Sequence, residues 1–551
     1  MACQDLGPMP RHTKAANRSS ESAAATAKLF RLAKPLSLTP GGIFIDDVVA
    51  VARCGRLVNI SRASLAAMKA SRAVVELRLK DGNPYYGINT GFGSLANKRI
   101  ADADLAQLQL NLVRSHSAGI GTPLPVETVR GMMLLLCASL CRGLSGVRPA
   151  LAEQIRVMLN SGLTPLVPSV GSVGASGDLA PLAALACTLI GEGHVFTGPD
   201  TADKPVATAK AFAAKGIKPI VLAAKEGLAL INGTHLMATE AALLVADASR
   251  LLNAATVALA MSIDACRATD AFLDERLYRA RNNSCGLIVS MQLAEMLAGS
   301  TILTSHIEND TRVQDPYSLR AGPTVLGAVF ASLASIEQAA ADELRAVTDN
   351  PLVVAKGIHG DAEQSFSSDD DAIISGANFH GMPLAIPLDH LAIALCHIAG
   401  ISERRSYLMT GAFEPESKLK PFLAPQPGLQ SGLMIAQYTA AACCNELIGL
   451  ANPASVVNIS TCAGMEDYNS WGPRAAAKAR RAVELCTSVV AIELLIASQA
   501  IELHRPLRSG RSVEAAHKTI RGVVPPLLAD RQLSGDIAAI AGLIRSGGLG
   551  R

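Results

Sequence analysis

Aromatic residues are scarce in this 551-residue chain: Phe, Tyr and Trp make up 3% of it, with a single Trp. β-branched runs are short, whereas Ala and Leu abound, so the composition argues against extensive sheet and for helices. Charge of one sign is also lacking, with 50 Lys and Arg against 47 Asp and Glu spread along the chain and a formal net charge of +3. No basic stripe is left for nucleic acid and no acidic tail for a solvating arm. The 12 cysteines include no Cys-x-x-Cys pair. Cys137/Cys141 and Cys443-Cys444 fall in apolar helical stretches, where a free thiol behaves as a small hydrophobe. Neither a metal site nor a disulfide framework follows, and a reducing cytoplasm is the expected setting. The longest uncharged run, Pro421 to Asn445, is interrupted by Pro425, Gln426, Pro427, Gln430 and Gln437, so no stretch reads as a membrane span. These exclusions leave small polar or charged metabolites as the expected partners, with no nucleic acid and no membrane.

What is present is length enough for a large interior. The chain exceeds the roughly 250–300 residues at which one hydrophobic core stops growing, so more than one packed region is expected. Residues 1–35 mix Ser, Ala, Arg and Lys without an apolar h-region and read as a disordered leader. Residues 36–235 form an N-terminal region, mixed and rich in Gly- and Pro-punctuated loops as far as Leu95. Helical periodicity then runs over 101–118 and 124–160, breaks in a Gly/Ser/Pro-rich stretch from Ser161 to Gly177, and resumes from Leu179 to Leu189. Residues 236–551 contain long Ala-rich segments at 236–263, 324–348, 384–410, 432–451 and 474–504, the pattern of a bundle with surrounded central helices. The expected fold is mainly α: a long central helical bundle beside a smaller mixed, loop-rich N-terminal region.

The break before Leu179 reads Gly171-Ser172-Val173-Gly174-Ala175-Ser176-Gly177-Asp178. A phosphate-cradling loop would need a Lys-Ser/Thr pair after its last glycine, where Asp178 would instead repel phosphate. A nucleophile elbow needs Gly-x-Ser-x-Gly, and Gly177 comes one position early. A plain N-cap by Asp178 fits and is compatible with a further role. A further role open to these residue types is self-cyclisation, in which the Gly177 amide nitrogen would attack the Ala175 carbonyl carbon and Ser176 would lose its hydroxyl to become an exocyclic methylidene. Gly177 leaves its nitrogen sterically free, Gly174 and Gly177 permit the tight backbone, and only a β-hydroxyl residue in the middle can eliminate water.

Several separated motifs accompany this loop. They include Tyr86 to Gly93, Asn111 to His116, Ala229 to Thr234, Val313 to Arg320, Thr348 to Pro351, Asn378 to Gly381 and Glu403-Arg404-Arg405. In this order, from about Ile43 to about Ile501, the chain resembles the aromatic amino acid ammonia-lyases, a family of histidine, phenylalanine and tyrosine ammonia-lyases and related aminomutases. The resemblance implies a methylidene-imidazolone made from Ala175, Ser176 and Gly177 that takes up the substrate amine, with no metal or dissociable cofactor. It further implies that Tyr86, rather than its neighbour Tyr85, removes the β-proton. Because an unperturbed Tyr titrates near a pH of about 10, the site is expected to favour the phenolate, as inward-aimed helix N-termini would. Arg320 would bind the substrate carboxylate as a bidentate pair with Gln314 nearby. Asn232 and Tyr317 would position the imidazolone and the amino group, and the Gly93 N–H would face the imidazolone oxygen. Phe379 would wall the cavity, while His380 and Asn350 are expected to be structural.

Substrate choice divides. Ser115-His116 resembles histidine ammonia-lyases, yet the longer string Arg114 to Gly119 also resembles bacterial tyrosine ammonia-lyases and tyrosine aminomutases, in which His116 would bond the phenol. Glu466, in Met465-Glu466-Asp467-Tyr468, resembles histidine ammonia-lyases, where a carboxylate faces the polar ring. Met465, Thr324, Arg345 and the run Arg281 to Cys285 depart from the family pattern. The reaction implied is elimination of ammonia from L-tyrosine or L-histidine, to p-coumarate or urocanate. An aminomutase forming a β-amino acid is the alternative, with the Tyr86 loop as candidate lid. A homotetramer with shared sites is implied in the same way.

Overall fold

The structure, a computed structural model, describes residues 34–549 apart from Asn97, 199–200, 202–203, Asn309 and 361–364. The leader expected over 1–35 therefore lies outside the described residues except for Lys34 and Pro35. Helix accounts for 58% and strand for 8%, so the mainly α expectation holds.

The long helices His235–Ala265, Gly322–Leu344, Met382–Gly411 and Gly472–Glu502 carry the architecture. Gly472–Glu502 packs against both His235–Ala265 and Met382–Gly411. Gly322–Leu344 packs on those same two partners, and Met434–Leu450 lies outside. Their sequences favour this outcome. No Gly or Pro interrupts 236–265, and Pro473 sits in the first turn of its helix, where its missing N–H has no intrahelical partner to lose. By length and composition these four helices could each cross a membrane. That corrects the reading that no stretch qualifies, because a segment with one or two charges still averages strongly apolar. In Gly472–Glu502, however, 89% of the most apolar stretch is buried within the fold, against 33% in Gly322–Leu344. The first is an interior helix, and the second keeps an uncovered apolar face.

Three long helices are tied by buried polar groups. Glu493 accepts Arg405 Nη2 at 2.8 Å and the Ser262 hydroxyl at 2.7 Å, with both charges fully buried. The N-terminal region carries only small sheets, such as the parallel pair Leu36–Leu38 with Val58–Ile60 and the antiparallel pair Ile120–Pro123 with Pro168–Val170. The helix expected over 124–160 is two helices, Val126–Cys141 and Pro149–Asn160. Gly143 and Gly146 turn the chain between them at φ +74° and +65°, a conformation that side-chain-bearing residues avoid. One large cluster of buried apolar residues draws on both regions, from Leu36 to Leu549, and a second, smaller one gathers Val74, Val75, Ile88, Leu105, Ala224, Val353 and Ala355.

Candidate active site

The loop before Leu179 is shaped by Gly174 and Gly177, at φ +70° and +73°. A Cβ on Gly177 would lie 2.1 Å from the Gly233 carbonyl oxygen, and one on Gly174 2.1 Å from Ser470 Oγ, so contact as well as conformation demands glycine. From inside, Ser172 Oγ donates to the Gly177 carbonyl at 3.1 Å and accepts the Gly174 N–H at 3.2 Å. From outside, the Gly233 N–H donates to the Ser176 carbonyl at 3.2 Å, and the Asp178 N–H donates to the Gly233 carbonyl at 2.8 Å. Ser470 Oγ and the Gly381 N–H both donate to the Gly174 carbonyl, at 2.9 and 3.3 Å. Among the described hydrogen bonds none takes the Gly177 N–H or the Ala175 carbonyl, the two groups that ring closure would join.

The Ser176 hydroxyl donates to Glu466 Oε1 at 3.1 Å, while the Thr461 hydroxyl takes Oε2 at 2.8 Å. The structure thus brings Glu466 onto the tripeptide. Asp178 begins the Leu179–Leu189 helix without capping it, which departs from the expected N-cap. Its carboxylate reaches across instead and accepts the N–H groups of Leu236 and Met237, at 2.9 and 3.2 Å, in the first turn of His235–Ala265. Full burial pushes this carboxyl up to about 7, against the pull of those N–H donors. Asn232 is buried and donates to the Asn350 carbonyl at 2.8 Å. The Asn350 side chain accepts the Gly376 N–H at 2.7 Å. Lys225 and Asp349 form a fully buried ion pair at 2.8 Å beside it. Sequence reasoning missed that pair, although a lysine inside the apolar run Leu222 to Ile231 is itself a signal of a buried partner.

Tyr86 turns inward and is partly buried, whereas Tyr85 donates to Asp81 at the surface. The Gly93 N–H points at Tyr86 Oη, at 3.5 Å, rather than toward the Ser176 loop as the resemblance implied. Cys462 closes over Gly93, where an added Cβ would meet its Sγ at 2.6 Å. The Tyr86 phenol is pushed up from its ordinary value, first by burial and further by the neighbouring Cys462 and Glu466, with the Gly93 N–H opposing. This corrects the expectation of a site that favours the phenolate: in the single chain a carboxylate neighbour and low polarity both disfavour the anion.

The other expected site residues differ in how they relate to this loop. Arg320 donates to the Asp315 carbonyl at 2.9 Å and to Gln314 Oε1 at 2.8 Å, and its guanidinium stacks 4.4 Å over the Tyr317 ring. Tyr317 is 72% exposed. Among the described residues no hydrogen bond or ion pair joins this cluster to the Ser176 loop. Ser115 and His116 end their helix with both side chains on the Leu112 carbonyl, His116 Nδ1 at 2.9 Å and Ser115 Oγ at 3.1 Å. The chain beyond them touches the loop's start, since a Cβ on Gly171 would lie 3.0 Å from Gly119 Cα. Phe379 is half-buried in the turn whose Gly381 holds Gly174. His380 donates Nε2–H to the Tyr468 carbonyl at 3.0 Å and accepts the Met382 N–H.

Comparison with known proteins places this arrangement in context. A sequence profile described as aromatic amino acid lyase matches residues 43–522. Histidine ammonia-lyase of Anaeromyxobacter sp. (strain K) is 44% identical over 509 residues, 92% of this chain and 97% of that protein. Among solved structures, histidine ammonia-lyase of Trypanosoma cruzi superposes with a TM-score of 0.84 at 37% identity, covering 94% of each chain. Tyrosine aminomutase of Streptomyces globisporus superposes with a TM-score of 0.85 at 31% identity, covering 94% of this chain and 98% of that one.

Proposed function

The chain belongs to the aromatic amino acid lyase family and is a carbon–nitrogen lyase, and from that premise we propose that it eliminates ammonia from L-histidine to give urocanate. The observation that carries the choice of histidine is Glu466, whose carboxylate reaches the Ser176 hydroxyl at 3.1 Å. An imidazole offers an N–H to that carboxylate. The 44% identity to a histidine ammonia-lyase supports the same substrate.

The tripeptide's surroundings fit a methylidene-imidazolone: left-handed glycines, a β-hydroxyl at Ser176, and an amide nitrogen and carbonyl left out of the hydrogen-bonding. Such a group supplies an electrophilic carbon for the substrate's amine, so that ammonia can leave. Tyr86 accepts the β-proton at Oη, 3.5 Å from the Gly93 N–H that stabilises its anion. Glu466, when it accepts an imidazole N–H or pairs with an imidazolium, loses part of its hold on the Tyr86 phenol. Histidine thereby eases the deprotonation of its own base. Arg320 binds the carboxylate, with Gln314 and Tyr317 fixing the guanidinium. Because no hydrogen bond or ion pair among the described residues joins that cluster to the Ser176 loop, we infer a homotetramer whose sites draw on more than one subunit. The uncovered apolar residues Ile386, Ile435 and Ile448 suit such an assembly. No cysteine among the described residues forms a disulfide, which suits the cytoplasmic setting we propose.

A second reading, tyrosine as substrate, has one observation in its favour. His116 Nδ1 is engaged by the Leu112 carbonyl, which leaves Nε2 as an acceptor for a phenol. A panel of L-histidine, L-tyrosine, L-phenylalanine and L-tryptophan, followed by absorbance of the unsaturated acid, separates the readings. Histidine is expected to be turned over fastest, and faster release of p-coumarate would sink that choice. Chiral analysis of the products tests the aminomutase alternative, since a β-amino acid in excess over free ammonia would displace the lyase reading. Intact mass tests the electrophile: the chain should be lighter than its sequence by two waters, and Ser176→Ala should abolish the deficit.

A further inference from the structure

Behind the residues that clamp Ser176 and Gly177 lies a second layer of polar groups that the reaction above does not use. His235 is 5% exposed, and neither ring nitrogen has a hydrogen-bond partner among the described residues. Its ring presses on Gly233: a Cβ there would lie 2.6 Å from His235 Cε1 and 3.0 Å from Nδ1. Thr348 Oγ1 approaches the same point at 2.5 Å and accepts the Thr234 N–H at 3.2 Å. Glu343 accepts the Thr234 hydroxyl. His235, Glu343, Thr234 and Thr348 line a cavity of about 20 Å³, the space of one water-sized molecule.

Packing alone does not account for this histidine. A buried polar ring without a protein partner costs stability, and burial pushes its ring down to about 4, so it is neutral at neutral pH with one nitrogen to donate and one to accept. Gly233 holds a φ of +109° between the ring and Thr348, and its N–H and carbonyl grip the chain on either side of the Gly177 nitrogen. Any shift of Gly233 therefore moves the attacking atom.

We propose that His235 is a positioning residue for the cyclisation of Ala175, Ser176 and Gly177, acting through Gly233 and steadied by one water-sized hydrogen-bonding molecule shared with Glu343. The inference rests on reading the loop as a self-made electrophile. In that reaction the Gly177 nitrogen bonds to the Ala175 carbonyl carbon. The carbonyl oxygen leaves as water with the amide protons of Gly177 and Ser176, and the Ser176 hydroxyl leaves as a second water with its α-hydrogen. No oxidant or reductant is required. Held by Gly233, the nitrogen stays in line with the carbonyl.

The test follows the mass of the folded, protease-resistant fraction with time after synthesis. Wild type should lose two waters. His235→Leu, which keeps bulk but no ring nitrogens, should do so with a half-time about tenfold longer, and His235→Gln, which restores a donor and an acceptor, about threefold longer. A purely structural role would reduce the folded fraction without changing the half-time within it. If His235→Leu yields no folded protein, His235→Gln is read against the same clock, and an unchanged half-time overturns the proposal. A wild-type chain that never loses the two waters overturns the underlying reading. A wild type that does, matched by both variants, overturns the role of His235 alone.

Discussion

Glu466 acts on two groups at once, accepting the Ser176 hydroxyl and helping to hold the Tyr86 phenol up. Glu466→Gln removes that negative neighbour, so the phenolate becomes easier to form. The ascending, acid-side limb of kcat/KM for L-histidine should then move to lower pH, while kcat/KM itself falls by about 10–100-fold with the lost charged hydrogen bond. A pH–rate profile checks both, and an unmoved limb would separate Glu466 from the base. His235 sets a second pH dependence, in stability. Its ring is held down to about 4 when folded but titrates near its ordinary value when unfolded, so the unfolded chain binds the extra proton between those limits. Stability from this group is intact above a pH of about 6.5 and is lost as pH falls toward 4, by up to about 3 kcal/mol. Denaturation midpoints of wild type and His235→Gln, taken across that window, should converge as the solution is acidified.

Among elements, the joint between the Leu179–Leu189 and His235–Ala265 helices matters most, because the backbone of Asp178 starts one helix while its side chain caps the other. Asp178→Ala should cost about 1–2 kcal/mol in urea denaturation, the usual loss of an N-cap. Such a cap is invisible in sequence. Local spacing pointed Asp178 at its own helix, and only the tertiary approach of residue 236 redirects it. The long helices, by contrast, are legible almost to their ends, since long Ala- and Leu-rich stretches hold the helical backbone even past Pro387 and Gly400 in Met382–Gly411. The break near Gly143 was not, because a glycine's left-handed turn and its use inside a helix look alike in one dimension. The loop's glycines could be read from motifs. The raised phenol of Tyr86 could not, because it depends first on burial in the folded chain and then on Cys462 and Glu466 arriving from far along the sequence.

For the whole molecule, the lack of any hydrogen bond or ion pair, among the described residues, between the Arg320 cluster and the Ser176 loop is the feature sequence order could not disclose. Adjacent motifs say nothing about which subunit supplies them. On the shared-site reading, Arg320→Ala and Ser176→Ala chains are each inactive, yet mixed oligomers formed by refolding them together should recover activity that neither parent has. Continued inactivity of verified mixed oligomers would put both residues in one chain's site. Sedimentation should give four times the monomer mass, with the exposed faces of Gly322–Leu344 and Met434–Leu450 protected from hydrogen exchange relative to a dissociated chain. The contact between Ser176 and Glu466 spans 290 residues of sequence. A ribosome that has finished the tripeptide has still to make the carboxylate that will hold its hydroxyl. On the reading of the loop as a self-made electrophile, a nascent chain that stops short of Glu466 lacks the carboxylate that receives the Ser176 hydroxyl.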